Sequence, residues 1–370
     1  MTFRLSSLLA ASALALSGCA TVPAGDGALS LEVSKDCGAR PRCHATLGAA
    51  LQAASAEPAD RPVRIAIGPG DFNERVVAER SNLVITGSGQ DRTRLHHDLV
   101  AEHAAALHRD RWGTAGSATL TITGKDVAVS DLAVENDFDY LANDALPSAD
   151  PRKIGNSQAL AVLLDTTSDK VRFDRVAMLG YQDTLFAHGG RAYVRDSLIA
   201  GNVDFVFGDG QLLIEDSELR TRRRVAAEAD GFDSFLLAPS TPIAQAVGIL
   251  VHRSRLTRED GVRDASIALA RPWHPTTRFA DGRYADPDAI GQAIFVDCWM
   301  DAHIHPDHWA SMAGTARSGA KTDIFTPQSS RFWESGSTGP GARKVDIGMT
   351  WQPPMPFAAM RAIVLDGWAD

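Results

Sequence analysis

The sequence is short of positive charge. Its 370 residues carry 37 Lys and Arg against 46 Asp and Glu, a formal net charge of −9. With no basic stretch bearing stacking aromatics, nucleic acid is not the expected partner. No apolar run is long enough to span a bilayer; Leu8–Leu16 falls well short of the roughly 20 residues a membrane helix needs. No Gly-x-Ser-x-Gly elbow is present, which argues against a serine hydrolase. The one histidine cluster, His303-Ile304-His305-Pro306-Asp307-His308, fits no standard zinc spacing and reads as a solvated loop, so no metal is expected. The composition is that of an ordered chain.

Cysteine is scarce, four in all, and each has a separate reading. Cys19 ends Leu16-Ser17-Gly18-Cys19, a bacterial lipobox pattern behind a leader whose only charge is Arg4. Residues 1–18 are therefore expected to be a lipoprotein signal and Cys19 the lipidated N-terminus; a plain signal peptide cut near Ala20 is the alternative. Ala20 rather than Asp after the Cys points to the outer membrane, lipid-anchored. Residues 19–29, rich in Ala, Gly and Pro, read as a tether. Cys37 and Cys43 are close enough for a local disulfide in an exported protein. Cys298 is left over and expected to be buried and free.

The remaining chain, 30–370, repeats. Lys170–Val176, Arg191–Ser197 and Gln211–Ser217 are short alternating apolar strands ending in polar turns. Arg175 to Asp196 is 21 residues and Asp196 to Asp216 is 20. A period near 20 with one strand phase per repeat implies a solenoid of stacked strands, which needs no single large core and so reads as one domain. Cys43–Ala56 is Ala-rich with helical spacing and is expected to cap the open N-terminal end. Three long polar connections, 136–156, 221–245 and 274–291, are expected to form the walls of a cleft.

Two acids stand out against this period. Asp183, in Gly180-Tyr181-Gln182-Asp183-Thr184-Leu185, and Asp204, in Gly201-Asn202-Val203-Asp204-Phe205-Val206-Phe207-Gly208, are 21 residues apart in apolar surroundings. One period moves a residue up one rung, about 4.8 Å, so the two should face each other. Carboxylates that close have their pKa values pushed apart, leaving one protonated and one charged. Asp196 and Asp216, by contrast, read as ordinary turn residues.

These motifs resemble the pectin methylesterase (pectinesterase) family. Gly70-Asp71-Phe72-Asn73-Glu74 is similar to its early Gly-x-Tyr-x-Glu, Gln158-Ala159 to its Gln-Ala motif, and the two segments above to its aspartate motifs. Leu269-Ala270-Arg271-Pro272-Trp273 is similar to its Leu-Gly-Arg-Pro-Trp, and Phe332-Trp333-Glu334 and Gly339-Pro340-Gly341-Ala342 also look like family features. The resemblance implies an all-β, right-handed parallel β-helix, hydrolysis of methyl esters on pectin or oligogalacturonate by a monomer, and no cofactor. It implies Asp204 as nucleophile and Asp183 as general acid, then base. It implies Gln158 and Gln182 as oxyanion donors; their alternative is amide stacking inside a β-helix. Arg271, always protonated and forked, suits a carboxylate partner such as Asp204, or an ordinary surface pair. Trp273 and Phe207 match sugar platforms, with core packing the alternative for Phe207. Thr114, Val203 and Met312 match subsite positions. Asn202 stands where the family usually has Thr, and Ser197 and Ser217 stand where some members carry a Cys pair.

Two other readings compete. The same fold and acids would serve an esterase or acyl thioesterase with a non-pectin substrate. A non-catalytic polysaccharide-binding or envelope-structural lipoprotein is disfavoured, because all five proposed catalytic-centre residues are present.

Overall fold

The computed structural model describes residues 27–225 and 231–368; the expected leader and lipidation site Cys19 lie outside them. The chain winds into a right-handed parallel β-helix with three faces. One face stacks Leu29–Val33, Val63–Ile67, Leu83–Thr86, Asp169–Asp174, Arg191–Arg195, Gln211–Glu215, Ile249–His252, Gln292–Val296 and Arg331–Ser335, joined by Lys125–Ser130. A second face runs from Gly70–Asn73 through Leu198–Gly201 and Glu218–Thr221 to Trp299–Met300. The third is a separate sheet of seven parallel strands, Val76–Ala78, Leu120–Ile122, Val162–Leu164, Leu185–Ala187, Val203–Gly208, Ser234–Pro239 and Ile267–Ala270.

Alternation explains why these segments stack. In Leu29–Val33 the first, third and fifth residues are buried, and in Val63–Ile67 likewise. Period 2 sends those side chains into one lumen that runs the length of the solenoid. The corner between the first two faces is turned at six successive rungs by a left-handed residue: Asp131, Arg175, Asp196, Asp216, Arg253 and Asp297, with φ from 46° to 58°. Asp tolerates this conformation because its short side chain bonds local backbone. The two arginines are held by ion pairs along the corner, Arg175 to Asp131 and Arg253 to Asp216, each at 2.7 Å.

The N-terminal end is closed as the sequence implies, though the helix is shorter, Leu47–Ser55; Cys43–His44 is strand and pairs with the first strand. Leu47, Ala50, Leu51 and Ala54 form its buried stripe. Thr46 accepts from Ala49 N, and the Glu74 carboxylate accepts from Leu47 N (2.7 Å) and Gly48 N (2.9 Å). The glutamate of the early motif is thus a helix cap, stabilised further by the helix dipole. Cys37 and Cys43 are disulfide-bonded, and Cys298 is buried with its thiol pushed up by burial to about 12.

Three expectations need correction. Leu29, placed in the tether, is buried and pairs with Val63, so the solenoid begins one residue earlier. The connection 221–245 is not wholly polar loop: Ser234–Pro239 is a central strand whose Leu236 and Leu237 are fully buried. Gly, Asp and Pro flanking a short apolar run disguised it. The histidine segment is not solvated either. Bridges Ile267↔Ile304 and Ala270↔Trp309 draw it onto the third sheet as a last rung, burying His303 and His308 completely. No His/Cys/Asp/Glu group suited to a metal occurs among the described residues.

The chain ends in helix Phe357–Leu365, which packs Met360, Val364 and Leu365 on the outer side of the first face against Tyr193, Leu213, Leu250 and Ile294. Glu215 lies beneath it with no solvent exposure. It accepts from Arg361 Nε (2.9 Å) and Tyr193 Oη (2.9 Å) and pairs with His252 Nδ1 (2.7 Å). Burial alone would raise its pKa, but the Arg361, His252 and Tyr193 bonds override it and hold Glu215 at about 2. A depressed carboxylate contributes stability above its unfolded pKa of about 4.5, lost as pH falls through about 2. Glu215→Ala removes the anion and leaves Arg361 unpaired. Urea unfolding at pH 7 should show a loss of about 1–3 kcal/mol, because charged hydrogen bonds are lost but the partly exposed Arg361 can be solvated, and the difference from wild type should shrink in acid.

Candidate active site

The site lies on the third sheet, where two strands begin. Gly180, Gly201 and Gly208 let the rungs close: a Cβ on Gly201 would collide with Phe205 and Thr184, and Gly208, at φ 123°, lies against Ala187 O. Leu185 pairs with Val206, and Asp183 N donates to Val203 O at 3.0 Å, so Asp183 and Asp204 occupy adjacent rungs in register. Both adopt left-handed backbone, φ 64° and 52°. At Asp204 the register slips between Val203 and Val206, a bulge that turns the carboxylate out of the lumen and onto the outer face. Non-glycine residues held so cost of order 1–3 kcal/mol and cluster at functional sites.

Arg271 follows the last strand of this sheet and reaches back across two rungs. Its guanidinium lies 3.8 Å above the Phe235 ring and forks onto Asp204, Nε to Oδ1 at 2.7 Å and the terminal nitrogen to Oδ2 at 2.6 Å. Among the described residues Asp183 has no such partner. Burial first, and then the charge of Asp204, push its pKa well above the ordinary carboxylate value, with Arg271 opposing. One acid is forked by a fixed cation, and for its neighbour burial and the adjacent charge favour the protonated form.

Gln158 and Gln182 are brought to the same edge: Ala159 N donates to Gln182 O at 3.1 Å. Ser157 Oγ donates to Gln182 Oε1 (3.1 Å), which orients that amide with its NH2 group free to donate. The segment bearing Gln182 is clamped from the side. Tyr181 is sandwiched between Tyr140, stacked at 5.1 Å, and the Arg222 guanidinium at 3.8 Å, and Arg222 also donates to Gly180 O at 3.0 Å. Arg222 is itself fixed by Glu259 (3.0 Å). Above these groups opens a cleft of 470 Å³ lined by Gln182, Val203 and Arg271 with Tyr140, Arg224, Phe232, Phe235, Ala310 and Ser311.

Along the outer face of the sheet the cleft meets an aromatic array. Phe186 stacks on Phe207 (4.3 Å), and half-buried Trp112 and Trp273 meet Phe186 edge-on at 5.2 and 6.0 Å. Phe207 is only 4% exposed. It backs the platform, and the two tryptophans present the accessible faces. Thr114 stands two residues from Trp112 on the short helix Gly113–Gly116. Met312 begins a hairpin strand paired with Asp323–Phe325, one residue past the cleft-lining Ser311. Asn202 is fully buried, and its Oδ1 accepts from Val203 N at 2.6 Å.

Sequence reasoning missed Ser157, Phe235, Arg222, Trp112 and His188. Ser157, next to Gln158, and His188, close after the first aspartate motif, lay near sequence signals; the others reach the site from different rungs or from loops.

A family model described as Pectinesterase matches residues 32–346. Pectinesterase A of Dickeya chrysanthemi is 41% identical over 292 residues, covering 78% of each chain. The solved pectin methylesterase from Yersinia enterocolitica superposes with TM-score 0.79 at 37% identity, over 88% of this chain and all of that one. A pectin methylesterase in complex with a hexasaccharide superposes with TM-score 0.78 at 37% identity, over 88% and 98%.

Proposed function

The chain belongs to the pectinesterase family, and from that premise we propose how its site removes methyl esters from pectin and oligogalacturonate. It is a carboxylic ester hydrolase that uses two aspartates. The observation that carries the assignment of roles is the asymmetric pair: Asp204 forked by Arg271 beside an Asp183 whose pKa burial and the neighbouring charge raise.

The Asp204 carboxylate attacks the ester carbonyl carbon. The C=O electrons move to oxygen, and the resulting oxyanion accepts hydrogen bonds from the Gln158 and Gln182 amides. Collapse breaks the bond to methoxide, which takes the Asp183 proton and leaves as methanol. The acyl-enzyme is an anhydride on Asp204. Asp183, now charged, takes a proton from water as that water attacks the anhydride carbonyl. Collapse returns the Asp204 carboxylate and releases a free galacturonate carboxyl.

The test is methanol release from methylated pectin by purified protein, with Trp273→Ala as comparison. If Trp273 seats a sugar ring, kcat/KM on methylated oligogalacturonate should fall about ten- to hundredfold, the equivalent of about 1–3 kcal/mol of stacking. Turnover of a small aryl ester should fall much less. Equal losses on both would make Trp273 a structural residue.

The lipobox supports a lipid anchor on Cys19 and an outer-membrane location. Several acyl chains would hold firmly, each buried CH2 adding about 0.8 kcal/mol. Cys19→Ser should release the protein from membranes or stall its processing. An unmodified mature N-terminus beginning at another residue, read by mass spectrometry, would reject the anchor.

A further inference from the structure

His188 lies two residues beyond Phe186, so alternation puts both on the outer face of the third sheet. It stacks on Phe186 at 4.9 Å and 17°, extending the Phe186–Phe207 stack, and meets Trp112 edge-on at 5.8 Å. It is half-buried, 25% exposed at the side chain. The strand Leu185–Ala187 lies between it and Asp183, about 10 Å of chain at roughly 3.3 Å per residue, which sets it apart from the scissile ester.

Its polar contacts are one-sided. Nδ1 meets Asp209 Oδ1 at 2.7 Å, and the same oxygen accepts from Gly189 N at 3.1 Å, fixing the carboxylate. Asp209 is next in register after Gly208, which pairs with Ala187, so the two side chains face each other across one rung. An anionic acceptor at Nδ1 places the imidazole proton there. Nε2 then offers a lone pair, and among the described residues no protein donor meets it. An aromatic shelf with one oriented polar atom at its edge is how a sugar ring is held: carbon face on the rings, hydroxyl at the edge.

We propose that His188, oriented by Asp209, is a specificity-determining residue that accepts a hydrogen bond through Nε2 from a hydroxyl of a galacturonate unit remote from the scissile ester. The inference rests on the pectinesterase reading and deepens it: His188 makes the enzyme favour longer oligomers, because a unit bound only at the aspartates does not reach it.

The experiment compares kcat/KM on a methylated hexagalacturonate and a methylated digalacturonate. In His188→Ala the hexamer-to-dimer ratio should fall about five- to tenfold, the worth of one such hydrogen bond, with the change in KM. His188→Phe keeps the stack but has no lone pair, and should lose as much. Quenching of tryptophan fluorescence by unmethylated hexagalacturonate gives a second readout, with Kd expected to rise by the same factor. An unchanged ratio in folded His188→Ala overturns the proposal, and a wild-type ratio in His188→Phe overturns the role of Nε2. Absence of wild-type methanol release from any oligomer removes the pectinesterase reading itself, an outcome separate from either.

Discussion

Asp204→Asn should lose turnover by at least about 10⁴-fold, and Asp183→Asn by about 10²- to 10⁴-fold, both without unfolding. The first removes the proposed nucleophile. The second removes the proton that makes methoxide a leaving group and the base that activates water. The amides are near-isosteric, and both positions already hold a left-handed backbone that Asn tolerates as well as Asp. The Asp183 change also carries a stability signature with a definite sign. The native pKa of Asp183 is raised above its unfolded value near 3.8, because the anion is penalised by burial and by Asp204. As pH rises from the unfolded pKa towards the native one, the unfolded chain gives up a proton that the native chain keeps, and stability falls. Asn has no such proton. Asp183→Asn should therefore match wild type in acid and be the more stable protein at neutral pH, read as Tm across pH. The same raised pKa sets the activity profile: kcat/KM should decline on the alkaline side as Asp183 loses its proton in the free enzyme. Wild-type-like turnover in either folded variant would reject the assigned roles.

Arg271→Ala should lower kcat/KM on the order of 10²- to 10³-fold on every ester, large or small. Asp204 is buried, and its two oxygens are both taken by Arg271. Deleting one partner of such a pair costs about 3–5 kcal/mol, because the remaining charge stays buried. The loss should fall on kcat, since the nucleophile is the group affected. Arg271→Lys restores a charge but neither the fork nor the flat contact on Phe235, and should recover only part of the rate. A loss confined to long substrates would instead make Arg271 a sugar-binding residue.

The sequence by itself determined the repeat and the placement of Asp183 and Asp204 on adjacent rungs. Strand alternation and a 20–21-residue period are local properties, and stacking is their direct consequence, so Asp183 and Asp204 were bound to meet one rung apart. The cysteine pairing and the N-terminal helix were legible for the same reason: both are short-range. The tertiary structure alone decided what converges from distant rungs. Phe235 sits in a strand that polar and turn residues concealed, and only its placement beneath Arg271 gives it a role. The apparent solvated loop at His303–His308 is a buried rung because bridges to Ile267 and Ala270 hold it there. Glu74, visible as part of a motif, turned out to cap a helix that begins 27 residues earlier in the chain. The resemblance assigned different roles to the two acids, but the physical difference between them appears only in the fold: both are equally buried, and a single arginine arriving 67 residues after Asp204 forks onto that carboxylate and not the other. Periodicity fixes which residues share a rung, whereas long side chains and loops crossing between rungs obey no period, and their contacts exist only once the coil has closed.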